Sequence, residues 1–293
     1  VLVARGVSAV GRVAGALAVT AAVTAGVTAA VTVSTATATA PATTATTSPA
    51  AARALVVVTV AVVTVVVVTV VVVRVGAAKQ QTGTAIYAPD REHEVLQRVR
   101  AQNRGPLPDR TLTAIWREMM SGSFALERPL RIAYLGPEGS FSHLAAMRKF
   151  GASVEYLPVT DIRAAFDEVR RGHVDLGVVP IENSIGGGIV DTLDSFVSAD
   201  VCVVAEVMVE IHHNLLANCP PEQITMVASK PEVFAQCRNW LGGQFHKVDL
   251  IPVASSSKAA DMAAKQHALA AIGSALAAEL YNLRIVFANI EDN

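Results

Sequence analysis

From Leu130 onward the sequence predicts an α/β fold, and three observations predict it. Short apolar runs such as Arg131-Ile132-Ala133-Tyr134-Leu135 and Asp175 to Pro180 alternate with segments of helical spacing. Glycine-rich and polar turns stand at the ends of those runs. From Asp90 on the composition is that of an ordinary globular chain, and about 200 residues can bury a sizeable core.

The elements follow in order. Val154 to Leu157 is a second strand after the helix Phe141 to Phe150, and a helix capped by Asp161 leads to the buried run at 175–180. A helix near Val190–Val197 and a strand Val201 to Val209 come next. Then come strand Ile224–Ala228, helix Pro231–Leu241, strand Val248–Pro252 and helix Ser257–Gln266. Strand Ala268–Ile272, helix Ser274–Tyr281 and a strand starting at Ile285 close the series. This β-α-β-α-β order argues for right-handed crossovers, a mostly parallel sheet and helices on both faces.

Ahead of this lie two unlike segments. Residues 76–127 read as helical. Pro89-Asp90 starts one helix, with Val95, Leu96 and Val99 at helical spacing; Gly105-Pro106-Leu107-Pro108 stops it. Asp109 is expected to cap the next, whose stripe is Leu112, Ile115, Trp116 and Met119. Two such helices cannot bury their stripes alone. Residues 1–75 are low-complexity: 55 of the first 70 are Val, Ala or Thr. Within them 54–73 is an uncharged run long enough to span a bilayer, and 32–50 is a Thr/Ala/Pro/Ser tract that cannot form a core. Segment 1–75 thus reads as a membrane anchor, an aggregation-prone tract, or sequence that is not native coding at all. The last is preferred, because recognisable sequence begins abruptly near Val75.

Charge divides the chain at Asp90. Five basic and no acidic residues precede Asp90, leaving 19 basic against 25 acidic, −6, for the rest. An acidic globular part argues against a nucleic-acid partner. Three cysteines, Cys202, Cys219 and Cys237, make neither a disulfide framework nor a zinc site. His143, His212 and His213 have no carboxylate or cysteine at ligand spacing and read as surface or packing residues; Cys237 reads as core.

Ligands in such sheets sit at strand ends beside helix N-termini. Three loops qualify: Gly136–Ser142, 180–188 with Glu182-Asn183-Ser184, and Ser229-Lys230-Pro231 with Gln236 a little further on. By residue type alone, Asn183 is equally a turn residue, Ser229 an N-cap and Gln236 a surface helix residue.

The motifs GPEGSFSHLAA (136–146), VPIENSIGGGIVDTLD (179–194), HNLL (213–216), AQCRNWL (235–241) and AAIGSALAAELYNL (270–283) resemble the prephenate dehydratase domain, in order, over about 131–293. Val75 to Glu127 resembles an AroQ-type chorismate mutase domain, so the chain is similar to the bifunctional family that joins the two. The resemblance implies a two-lobed fold like type II periplasmic binding proteins, with the site between lobes. It implies a lyase that turns prephenate into phenylpyruvate, water and carbon dioxide in cytoplasmic phenylalanine biosynthesis. Neither metal nor organic cofactor is expected, and the intact family protein is a homodimer. The implied catalytic residues are Asn183, Ser229 and Gln236, with Gly136, Pro137, Glu138, Gly139, Ser140, Glu182 and Ser184 about the substrate. In the mutase part Lys79, Arg91, Glu92, Ser123 and Glu127 would touch chorismate. The family's first mutase helix carries two further arginines where this chain has Val/Thr repeats, so little or no mutase activity is expected. The family continues past the position of Asn293 with a Thr-Arg-Phe motif and a regulatory ACT domain. Weak or no dehydratase activity, and no feedback inhibition, are therefore expected of residues 1–293 alone. The competing readings are an exported or membrane-tethered solute-binding protein of the same fold, and a non-functional product.

Overall fold

In the computed structural model, residues 1–6 and 87–292 are described. The candidate span 54–73, the Thr/Ala/Pro/Ser tract and Lys79 lie outside the described residues. Among the described residues no helix is long and apolar enough to cross a membrane. The chain divides into two units, Val1–Ala9 with Leu130–Asn293, and Val10–Pro129.

The first unit holds two five-stranded sheets of matching design. One is built from β1 (Leu2–Gly6), β2 (Arg131–Leu135), β3 (Glu155–Val159), β4 (Leu176–Val179) and β7 (Val201–Glu206), in the order β3-β2-β4-β1-β7. β2 runs parallel to β3 and β4, whereas β1 is antiparallel to both its neighbours. The other uses β8 (Asn214–Ala217), β9 (Met226–Ser229), β10 (Asp249–Pro252), β11 (Leu269–Gly273) and β12 (Arg284–Phe287), ordered β10-β9-β11-β8-β12. Again three strands are parallel and the fourth, β8, is antiparallel to both neighbours. The alternating pattern by itself suggests one run of parallel units; the two sheets are the two lobes that the family resemblance implies, one closing after β7 and the other opening at β8. A short ribbon of β5 (Glu182–Asn183) and β6 (Gly187–Gly188) stands apart.

Burial follows position. β4, β8 and β11 are buried along their whole length, as expected of strands covered on both faces. β3 is an edge strand and half exposed, which is why Pro158 is tolerated in it. The first lobe's helices are α3 (Phe141–Phe150), α4 (Ile162–Arg170) and α5 (Val190–Ser198). The second lobe's are α6 (Pro231–Gln236), α7 (Arg238–Gln244), α8 (Ser256–Lys265) and α9 (Ala275–Leu280). Four open on a side-chain cap that accepts the N–H three residues on: Ser140 from His143, Asp161 from Ala164, Ser255 from Lys258 and Ser274 from Ala277.

One face of the first sheet is packed by Ile162, Ala165, Phe166 and Val169 of α4 against Ala133 and Val179, and Phe166 meets Phe196 edge-on at 4.8 Å. Phe166→Ala is expected to lower stability by about 3–5 kcal/mol in urea unfolding, since it removes a buried ring and leaves a cavity.

The described residues of the second unit form an antiparallel helical pair, α1 (Pro89–Gln102) and α2 (Asp109–Glu127). Tyr87 packs edge-on against Phe124 at 6.3 Å, and at the other end Arg100 donates to Thr113 Oγ1 at 3.1 and 3.2 Å. Asp109 does not cap α2 as the sequence suggests. Pro108 holds the N-cap position, and the Asp109 carboxylate accepts from Asn103 Nδ2 at 3.2 Å. Within the low-complexity segment 1–75, Leu2–Gly6 forms a sheet strand; β-branched and apolar residues suit one.

Candidate active site

A cleft of about 500 Å³ lies between the two sheets of the first unit. Its floor is the crossover 207–211 that leaves β7 for the second lobe. Glu182, Asn183 and Ser184 reach it from one side, Lys230 and Gln236 from the other, with Phe141 and Ser142 at the start of α3.

The 180–188 loop explains how Asn183 is held. Its Oδ1 accepts the N–H groups of Ile185 at 2.9 Å and Gly186 at 3.3 Å, closing an Asx turn. Thr192 Oγ1 donates to Pro180 O at 2.6 Å and ties the loop to α5. With the carbonyl oxygen engaged, only the amide Nδ2 of Asn183 remains to address a ligand.

Gln236 ends α6, and its Oε1 stands 2.7 Å from His213 Nε2. His213 immediately precedes β8, is 3% exposed and also lines the cleft. The sequence reading of His213 as a packing residue therefore missed a cleft residue; the signal was the polar start of HNLL directly before a fully buried strand. The other two histidines stand as read. His143 stacks on Tyr134 at 4.5 Å and accepts the Gly139 N–H at Nδ1; burial, against the charge of Glu138, lowers its pKa and keeps it neutral. His212 pairs with Glu291 at 2.7 Å, a hydrogen bond that raises its pKa. Cys237 is fully buried, and burial pushes its thiol up to about 12, so it is core.

Two groups of expected site residues sit elsewhere. Ser229 is fully buried in the second lobe and donates to Ile272 O at 3.2 Å, tying β9 to β11 instead of facing the cleft. Gly136, Pro137, Glu138, Gly139 and Ser140 do not line it either. Three of their backbone donors are engaged within the protein: Gly136 N–H to Val159 O, Gly139 N–H to His143 Nδ1, Ser140 N–H to Pro137 O. The loop instead fastens the lobes together. Gly139 O accepts Ser274 Oγ at 2.8 Å, and a Cβ on Gly139 would stand 3.3 Å from Ala277 Cα. That close approach, with φ +80°, is why glycine is needed there. From this segment only Phe141 and Ser142 reach the cleft, on the first turn of α3.

Charge at the cleft is mostly negative: Glu182, Glu210, Glu232 and Glu291 line it, and Lys230 lies 3.8 Å from Glu232.

In the helical pair, Arg91 pairs with Glu94 at 2.5 Å and Glu92 accepts the Tyr87 hydroxyl at 3.1 Å. Ser123 Oγ donates within its own helix to Met119 O at 2.9 Å. Glu127 ends α2, and its side chain lies outside the described residues.

The family model for prephenate dehydratase matches residues 132–293, and that for chorismate mutase type II matches 69–128. A bifunctional chorismate mutase/prephenate dehydratase from Stutzerimonas stutzeri is 42% identical over 209 residues, 71% of this chain and 57% of that protein. The chain thus spans little more than half the length of that relative. Among solved structures, the prephenate dehydratase from Arthrobacter aurescens in complex with L-Phe is 30% identical, covers 56% of each chain and has a TM-score of 0.52. A protein described as a novel type of quorum-quenching acylase is 26% identical, with a TM-score of 0.51 over 55% of this chain and 60% of its own.

Proposed function

Because the chain belongs to the prephenate dehydratase family, we propose that its interlobe cleft binds prephenate and serves its conversion to phenylpyruvate in phenylalanine biosynthesis. The carrying observation is that two amides, Asn183 and Gln236, meet one cleft from opposite lobes, each with its oxygen engaged by the protein.

The chemistry asks little of an enzyme. The ring carboxylate leaves as carbon dioxide, its bonding pair enters the ring, and the ring hydroxyl departs with a proton as water. Aromatisation supplies the driving force. The protein needs to fix two carboxylates and assist the hydroxyl's departure. The glutamates leave little positive charge for a dianion, so neutral donors carry the recognition: Asn183 Nδ2, Gln236 Nε2 and the first-turn N–H groups of α3, aided by Lys230. Glu182 and Ser184 shape the same wall. Ser229, and the loop from Gly136 to Ser140, support the site from outside the cleft.

The helical pair supports descent from a mutase, with Arg91, Glu92 and Ser123 the described residues that would address chorismate. A cytoplasmic setting accords with relatives named as biosynthetic enzymes, and a homodimer is carried over from the family resemblance alone. The solute-binding alternative is not favoured, because several matched relatives join mutase and dehydratase in one protein.

The test is calorimetric titration of the purified chain with prephenate, alongside detection of phenylpyruvate. Saturable binding, abolished by blocking the cleft with a bulky Ser184→Trp substitution at a lining residue, is expected. A folded protein that neither binds nor converts prephenate would overturn the reading.

A further inference from the structure

His213 has a ring whose two nitrogens are treated differently by the fold. Nε2 is 2.7 Å from Gln236 Oε1, while Nδ1 is buried without a hydrogen-bond partner. An amide oxygen only accepts, so a contact of this length to Oε1 needs the proton on Nε2. The other neutral tautomer would bury an N–H without an acceptor, and an imidazolium would bury one together with a charge. The lone pair left on Nδ1 in the Nε2–H form is the smallest of the three penalties.

The ring is also fixed in place. The His213 N–H donates to Glu291 Oε2 at 2.8 Å, and its carbonyl accepts the Ile290 N–H at 2.8 Å. Across the interlobe gap Phe141 meets the ring edge-on at 5.6 Å. Gln236 is restrained from the same direction, since its carbonyl accepts the Asp292 N–H at 2.7 Å. No hydrogen bond joins Gln236 Nε2 to any described residue.

We propose that His213 is a positioning residue: as the Nε2–H tautomer it holds Gln236 Oε1 and thereby turns the amide nitrogen of Gln236 into the cleft as a donor for a substrate oxygen. Without that hold an amide on a helix end turns over freely and offers oxygen as readily as nitrogen, which an anionic ligand would repel. The inference rests on the prephenate reading for its ligand, but not for its geometry.

Two measurements judge it. In protein labelled with ¹⁵N-histidine, the His213 signals at neutral pH are expected to show a protonated Nε2 and a bare Nδ1, with no ligand present. The opposite tautomer, or both nitrogens protonated, overturns the proposal whether or not prephenate binds. In prephenate titrations, His213→Asn and Gln236→Leu are each expected to weaken binding about tenfold, and the double variant no further. His213→Gln, which sets a donor near the Nε2 position, should recover most of that loss. Equal losses for His213→Asn and His213→Gln, or additive losses in the double variant, would also overturn it. Should the unaltered chain bind no prephenate, the functional reading falls and the tautomer alone decides the inference.

Discussion

Asn183→Asp will weaken prephenate binding by about a hundredfold while leaving the 180–188 loop in place. The substitution keeps an oxygen where Oδ1 accepts from Ile185 and Gly186, so the Asx turn survives. What changes is the group aimed at the cleft. A donor to a substrate carboxylate, with an expected worth of about 1.5–3 kcal/mol, becomes an anion facing an anion. Asn183→Ala does a different damage, removing the turn's acceptor and the donor together but adding no repulsion. Titration of both variants, with amide chemical shifts of Ile185 and Gly186 as the control for the loop, separates the two roles. A silent Asn183→Asp beside a damaging Asn183→Ala would reduce Asn183 to a turn residue.

Removing residues 1–6 is the second large effect. β7 has β1 as its sheet neighbour, pairing from Leu2 with Glu206 to Gly6 with Val201. Without β1, β7 loses its ladder and β4 loses one of two partners. Amide exchange in 201–206 is expected to accelerate at least about a hundredfold, with the second sheet unchanged, because hydrogen-bonded strands exchange only through opening. A milder version, Ala4→Pro, breaks the ladder opposite Gly177 and Val203 and should show the same pattern. Unaltered protection of 201–206 in the deletion would mean that β7 stands without β1.

Most helices and parallel strands of the first unit were legible because their cause is local. Asp161, Ser255 and Ser274 cap where they stand, and the buried strands are unbroken apolar runs. What was not legible depends on distant residues. The stretch 231–241 reads as one helix, yet it breaks at Cys237. Asp292 supplies the reason: its N–H takes the Gln236 carbonyl, and its carboxylate accepts the Asn239 and Trp240 N–H groups at 2.9 and 3.1 Å. β8 escaped because four residues opening on Asn214 have no usable periodicity. Of the expected site, Asn183, Glu182, Ser184 and Gln236 do meet on the cleft. Ser229 does not, since nothing in its sequence says that its hydroxyl turns inward to Ile272. Residue type named plausible donors; only packing decides which way each one points.

The strand Leu2–Gly6 also sets how the two lobes differ as folding problems. The second lobe closes its sheet from residues 214–287, all near one another along the chain. The first must bring Leu2 to Glu206 before its sheet is complete. Closing a loop of about 200 residues in place of one of about 70, the longest the second sheet needs, adds roughly 0.9 kcal/mol of chain entropy, and non-local pairings of this kind slow folding. The second lobe is therefore the faster half. Once formed, it presents Ser274 and Ala277 as a template on which the Gly136–Ser140 loop, and with it the first lobe, can be laid down.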